Sequence, residues 1–76
     1  MNDRITIDPR ICHGHPVVRG TRVTVSQLLG SLASGDSAED ILEDYPSISP
    51  ADLKAVLSFA SGLANFEEAP YSVAFA

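Results

Sequence analysis

The strongest constraint on this chain is its apolar spacing. Three short stretches place hydrophobic residues on one helical face, and each is bounded by residues that start or stop a helix. In the first, Val25, Leu28, Leu29 and Leu32 fall at i, i+3, i+4 and i+7. The spacing predicts a helix from about Thr24 to Ser34, ended by Gly35, because glycine enters the left-handed conformation without a Cβ clash. Ser37-Ala38-Glu39-Asp40 then resembles a capping box, and Ala38, Ile41, Leu42 and Tyr45 continue at helical spacing until Pro46. The third start is the best signalled: Ser49 as cap, Pro50 in the first helical position, and Asp52 three residues after the cap. Ile48 and Leu53 are spaced as a hydrophobic staple. Leu53, Val56, Leu57, Ala60 and Ala64 are the expected buried stripe of that helix.

Two alternating, β-branched runs precede the helices. Arg4-Ile5-Thr6-Ile7 is broken by Asp8-Pro9, since proline has no ladder donor. Arg22-Val23-Thr24-Val25 is the second. They are expected to pair across the intervening loop as a short ribbon, which needs a helix layer or another chain against it. After Asn65 the helical period fades, and Phe66, Tyr71 and Phe75 place three of the five aromatics in the last eleven residues. A disordered tail is usually poor in aromatics, so this segment reads as an extended tail that docks on something.

Seventy-six residues make one small domain, too short for a large enzyme. No apolar run approaches the roughly 20 residues that span a bilayer, so no membrane role is expected. Met1-Asn2-Asp3-Arg4 does not read as the start of a signal peptide. Cys12 is the one cysteine, which excludes an internal disulfide and suits a reducing cytoplasm. The net charge of −5 is divided unevenly. Arg4, Arg10, Arg19 and Arg22 face only Asp3 and Asp8 in the first 22 residues, a local balance of +2. The rest holds Lys54 against eight carboxylates, a balance of −7. A phosphate-neutralising surface is therefore confined to the N-terminal third, while the acidic remainder suits a basic protein partner or simply solubility.

Helix, tight turn and helix is the helix-turn-helix arrangement, with a small helical bundle that touches no DNA as the plain alternative. The outward positions of the third helix are Ala51, Lys54, Ala55, Ser58, Ser61, Gly62 and Asn65, a poor set for reading base edges. DNA contact thus falls to the N-terminal arginines, and Arg10, Arg19, Thr21, Arg22 and Lys54 are the candidate DNA-binding residues. Arg19 and Arg22 flank Gly20 as a fork for phosphate or carboxylate. The alternative is structural: arginines bonded to loop carbonyls and to acids such as Glu39 or Glu43. Cys12-His13-Gly14-His15 holds metal-capable side chains, but one chain lacks the remaining ligands of a structural site, leaving only a dimer-bridging one. Cys12 as a small buried apolar residue and histidines bonded to loop backbone is the simpler reading. The carboxylates Glu39, Asp40, Glu43 and Asp44 read as solvated charge, and no nucleophile sits beside a base in a recognisable motif. No catalytic residue, cofactor or metal is expected.

The stretch from Ile5 to Val23, with its string His13-Gly14-His15-Pro16-Val17-Val18-Arg19-Gly20-Thr21-Arg22, resembles the bacterial domain-of-unknown-function family four hundred and thirty-three. The likeness continues through Gly35, the Ala38 to Pro46 segment and Ser49-Pro50-Ala51-Asp52-Leu53 to about Ala64. That family more commonly carries lysine where this chain has His15, which removes a permanent positive charge. The resemblance implies a homeodomain-like helix-turn-helix and a VapB-like antitoxin role: binding and silencing a PIN-like ribonuclease toxin, and repressing the shared promoter. The expected toxin-binding residues are Phe66, Glu67, Glu68, Tyr71, Val73 and Phe75, an acidic and aromatic anchor. Alternatively Arg19 or Arg22 enters the toxin's carboxylate cluster and competes with its metal.

The expected architecture is mainly α: a short N-terminal β-ribbon, a three-helix homeodomain-like helix-turn-helix core over residues 1–65, and an extended partner-binding tail over 66–76. The expected partners are the cognate toxin and operator DNA, in a homodimer or a toxin–antitoxin hetero-oligomer. The competing reading is a protein-interaction or structural dimer module without affinity for DNA.

Overall fold

The computed structural model describes the backbone of residues 3–74 and the side chains of residues 3–65. Strand β1, Ile5–Thr6, pairs antiparallel with β2, Val17–Val18, in the register Ile5 to Val18 and Thr6 to Val17. Helices α1 (Val25–Ala33), α2 (Ala38–Asp44) and α3 (Pro50–Ala74) follow.

The second strand is not where the alternation at Arg22 to Val25 places it. After Val18 the chain turns at Arg19-Gly20, closed by the Thr21 amide donating to the Val18 carbonyl at 3.0 Å. Gly20 has φ +81°, as the third position of a type II turn requires. Residues 22–25 then run along the far side of β2: the Val18 amide donates to the Val23 carbonyl and the Val25 amide to the Pro16 carbonyl, each at 2.9 Å. Thr24 makes a single bridge with Val17. The segment cannot stay extended because Thr24 is already the cap of α1. Its hydroxyl accepts from the Gln27 amide at 3.0 Å and its own amide donates to the Gln27 side chain at 2.8 Å.

The helix ends follow the sequence closely. At the end of α1, Gly35 (φ +99°) donates to Leu32 and Asp36 donates back to Ser31, both at 3.1 Å, the paired bonds of a Schellman motif. Ser37 and Asp40 cap α2 reciprocally, at 3.1 and 3.3 Å. Ser49 and Asp52 do the same for α3, at 3.2 and 2.9 Å. The staple residues Ile48 and Leu53 are both buried. Beyond Asn65 the backbone of α3 continues as helix to Ala74, where an extended tail is expected from the fading period. Glu67, Glu68 and Ala69 are good helix formers, and extending an existing helix adds one bond per residue fixed, except at Pro70, which has no N–H to donate.

The core lies where the three helices meet and is closed over by the ribbon. Leu28, Ile41 and Val56, one from each helix, are fully buried, with Val25, Ile48, Leu53, Ile5 and Val18 around them. Burial of each such side chain contributes roughly 1.5–3 kcal/mol. Leu29, Leu32, Leu42, Tyr45 and Phe59 pack on the periphery. Two expected core positions are not core. Leu57 is 47% exposed and Ala64 is exposed. Leu57 lies about 100° around the helix from Val56, outside the arc that faces α1, α2 and β1. Among the described residues, no helix is long and apolar enough to cross a membrane.

Candidate nucleic-acid and partner interface

The glycine- and arginine-rich loop is built on an unusual backbone. Cys12 (φ +50°), His13 (φ +57°) and Gly14 (φ +82°) adopt the left-handed conformation in succession. For a residue with a Cβ this costs on the order of 1–3 kcal/mol. Local bonds hold the turn: Ile11 donates to Asp8 at 2.9 Å, Gly14 to Ile11 at 3.0 Å and His15 to Cys12 at 3.1 Å. The Cys12 thiol, half-buried, points at the Arg22 carbonyl at 3.6 Å and ties this turn to the start of the next segment. His13 and His15 are exposed, so the expectation that they bond loop backbone gives way to solvent-facing imidazoles. Among the described residues no three histidine, cysteine or acidic side chains converge as metal ligands would.

The arginines divide into spent and unspent. Arg4 Nη1 meets Asp52 Oδ1 at 2.9 Å. Arg10 grips Asp8 with two guanidinium bonds, of 3.1 and 3.0 Å, and its amide adds a third at 2.9 Å. These bonds hold the Asp8 carboxyl below its ordinary range, the side-chain bond from Arg10 contributing most, and push the Arg10 guanidinium further up. Arg19 donates to the Asp3 carbonyl at 2.6 Å. Their partners are therefore Asp52, Asp8 and a backbone carbonyl, not Glu39 or Glu43. Arg22 is exposed and its guanidinium makes no bond to any described residue. It lines an open cleft of about 420 Å³ with Thr6, Ile11, Val17, Gly20 and Thr21. The Thr21 hydroxyl is committed to the turn, donating to Val18 at 2.8 Å and accepting from the Val23 amide at 3.0 Å.

Lys54 stands elsewhere, on the exposed face of α3. There an open groove of about 900 Å³ runs between α3 and the N-terminal residues Asp3 and Arg4, with Ala55, Ser58, Phe59 and Leu63 along it. Of the five expected DNA-binding residues, Thr21 and Arg22 share one cleft and Lys54 lines another, while Arg10 and Arg19 are held by local partners. The groove itself escapes a reading of helical stripes. Its one signal is Leu63, which continues the stripe through Leu53, Val56 and Ala60 at helical spacing yet is 59% exposed. The side chains of Phe66, Glu67, Glu68, Tyr71, Val73 and Phe75 lie outside the described residues.

The family model for a protein of unknown function, DUF433, matches residues 5–60. The chain belongs to the DUF433 family. The match takes in both strands, the left-handed turn, α1, α2 and the first part of α3, so the loop and its arginines lie inside the family's domain. Among curated proteins, the uncharacterized protein y4eO of Sinorhizobium fredii (strain NBRC 101917 / NGR234) is 41% identical over 56 residues, which are 74% of this chain and 25% of that protein. Among solved structures, a DUF433 member protein from Anabaena variabilis ATCC 29413 superposes with a TM-score of 0.72 at 27% identity, over 93% of this chain and 64% of that one. The chain thus spans less than two thirds of the length of either relative.

Proposed function

We propose that this DUF433 domain acts as the antitoxin of a toxin–antitoxin pair, neutralising a PIN-like ribonuclease and repressing their shared operon through DNA contact. The observation that carries the DNA half is Arg22, the exposed guanidinium left unspent after Arg4, Arg10 and Arg19 have taken internal partners. A planar, permanently charged fork just after the Val18–Thr21 turn is suited to a phosphate oxygen pair. Lys54 adds a second exposed cation on α3. Toxin contact is assigned to the acidic, aromatic segment from Phe66 to Phe75, whose charge complements the basic surface of an RNA-cutting enzyme. A reducing cytoplasm is the compartment in which such a pair works.

The second reading, a protein-interaction module without DNA affinity, is favoured by the described face of α3. Between Ala51 and Asn65 its exposed side carries Lys54 as the only charge, too little for base readout. One experiment separates the two: fluorescence anisotropy of DNA from upstream of the gene, titrated with the full chain at several salt concentrations. Binding that weakens with salt and is lost in Arg22→Ala supports the first reading. No binding at low salt, together with co-purification of a co-expressed neighbouring PIN-like protein, supports the second.

A further inference from the structure

The β1–β2 ribbon has one covered edge and one open edge. Beyond β2, residues 22–25 bond the outward main-chain groups of Val18 and Pro16. Across the ribbon, the Arg19 amide donates to the Arg4 carbonyl at 2.8 Å, so Arg4 and Thr6 turn their main-chain groups toward β2. The alternation of an antiparallel ladder then turns the N–H and C=O of Ile5 and Ile7 outward. Those four groups have no hydrogen-bond partner among the described residues. Ile7 lies on the same side of the strand as the buried Ile5, yet it is 60% exposed.

We propose that β1 pairs with β1 of a second copy, antiparallel about a two-fold axis at Thr6. The edge is self-complementary in this register. Ile5 of one copy stands opposite Ile7 of the other, and their outward N–H and C=O groups satisfy one another in four main-chain bonds. Other registers make fewer. An axis at Ile5 sets Ile7 against Asp3, whose carbonyl already accepts from Arg19 at 2.6 Å. An axis at Ile7 sets Ile5 against Pro9, which has no N–H. A shift of one residue sets outward groups against inward ones. Charge agrees with the same register. Arg4 falls across from Asp8 of the other copy, so the Arg4–Asp52 and Asp8–Arg10 pairs join in a row of alternating sign. Each exposed Ile7 is drawn beside the buried Ile5 of the other copy, out of water. A strand from another protein meets the same edge but carries neither this apolar nor this charged match. The pairing needs neither DNA nor toxin, and it stands or falls apart from the proposed function.

Hydrogen exchange and cross-linking on the full chain test it. In the unmodified chain the Ile7 amide should exchange more slowly as concentration rises, in step with the dimer fraction from sedimentation equilibrium. Thr6→Cys combined with Cys12→Ser should form an intermolecular disulfide under mild oxidation. A non-hydrogen-bonded pair on the axis brings the two Cα atoms to about 4.5 Å, within reach of that bond. Ser58→Cys in the same Cys12→Ser background, on the exposed side of α3, should cross-link far more slowly. A chain that stays monomeric at hundreds of micromolar overturns the proposal. So does a dimer that leaves the Ile7 amide unprotected, whatever the cysteine variants do. Cross-linking no faster at position 6 than at position 58 overturns the register about Thr6.

Discussion

Arg4 and Asp52, 48 residues apart in the chain, join the ribbon to the start of α3 through a 2.9 Å ion pair. Asp52 is the more buried partner, with 15% of its side chain exposed against 53% for Arg4. It also closes the capping box with Ser49 through its other carboxylate oxygen. One carboxylate thus fixes both where α3 begins and where β1 lies against it.

That double use makes stability depend on pH. Partial burial pushes the Asp52 carboxyl up, but the Ser49 amide, the Arg4 guanidinium and the Ser49 hydroxyl together outweigh it and hold it below its ordinary value. The unfolded chain therefore binds this proton more readily than the folded one. The contribution is present above the unfolded value of about 4 and is lost as pH falls through the lower folded value. Denaturant unfolding across the acid range should show the wild-type chain losing stability and Asp52→Asn losing less. At neutral pH the variant should be weaker by about 1 kcal/mol, the ordinary worth of a helix cap. Arg4→Ala should cost less than about 1 kcal/mol, since its guanidinium is half in solvent.

Core substitutions should separate the two faces of the helical pattern. Leu28→Ala removes a fully buried side chain and is expected to cost about 2–5 kcal/mol. Leu57→Ala, at 47% exposure, should cost under about 1 kcal/mol. Urea unfolding midpoints of the two variants give the comparison. Equal losses would mean that Leu57 is covered by something the monomer does not supply.

The contrast shows what the sequence could convey. The caps at Ser37 and Ser49, the Gly35 stop and the Ile48–Leu53 staple were all legible because each is a bond or contact between residues a few positions apart. Thr24 and Gln27 carry the same kind of signal, a Thr-x-x-Gln box, and it overrides the β-branched alternation of Arg22 to Val25. Leu57 was not legible, because a period of 3.6 fixes which residues share a side but not how wide an arc the neighbours cover. Nor were the partners of the arginines. A guanidinium on a flexible stem has many reachable carboxylates, and only the folded path brings Asp52 to Arg4 in place of Glu39 or Glu43.

The arginines give a graded prediction for DNA. Arg22→Ala should abolish most operator affinity with no change in melting temperature, since its guanidinium holds no other described residue in place. Arg19→Ala should lower both, because it frees the Asp3 carbonyl that now accepts a 2.6 Å bond. With Arg22 and Lys54 as the phosphate contacts, log K should fall against log salt with a slope of roughly −2 per bound chain. Anisotropy titrations beside thermal melts give both readouts. A slope several times steeper would mean that Arg10 leaves Asp8 for the phosphate backbone.

Two glycines should respond to alanine with opposite signs. At Gly20 an added Cβ meets nothing within 4 Å, so sterics beyond the residue itself do not forbid it. Its φ of +81° does, and Gly20→Ala should cost about 1–2 kcal/mol by straining the turn that returns the chain along β2. The Gly62 Cβ position is equally open, but that residue lies within α3 and has no positive φ. Gly62→Ala should therefore stabilise the folded chain, by about 0.5–1 kcal/mol, through reduced backbone freedom in the unfolded state. Urea unfolding of the two variants beside the wild-type chain measures both. A loss at Gly62 under those conditions would mean that α3 is not continuous helix there.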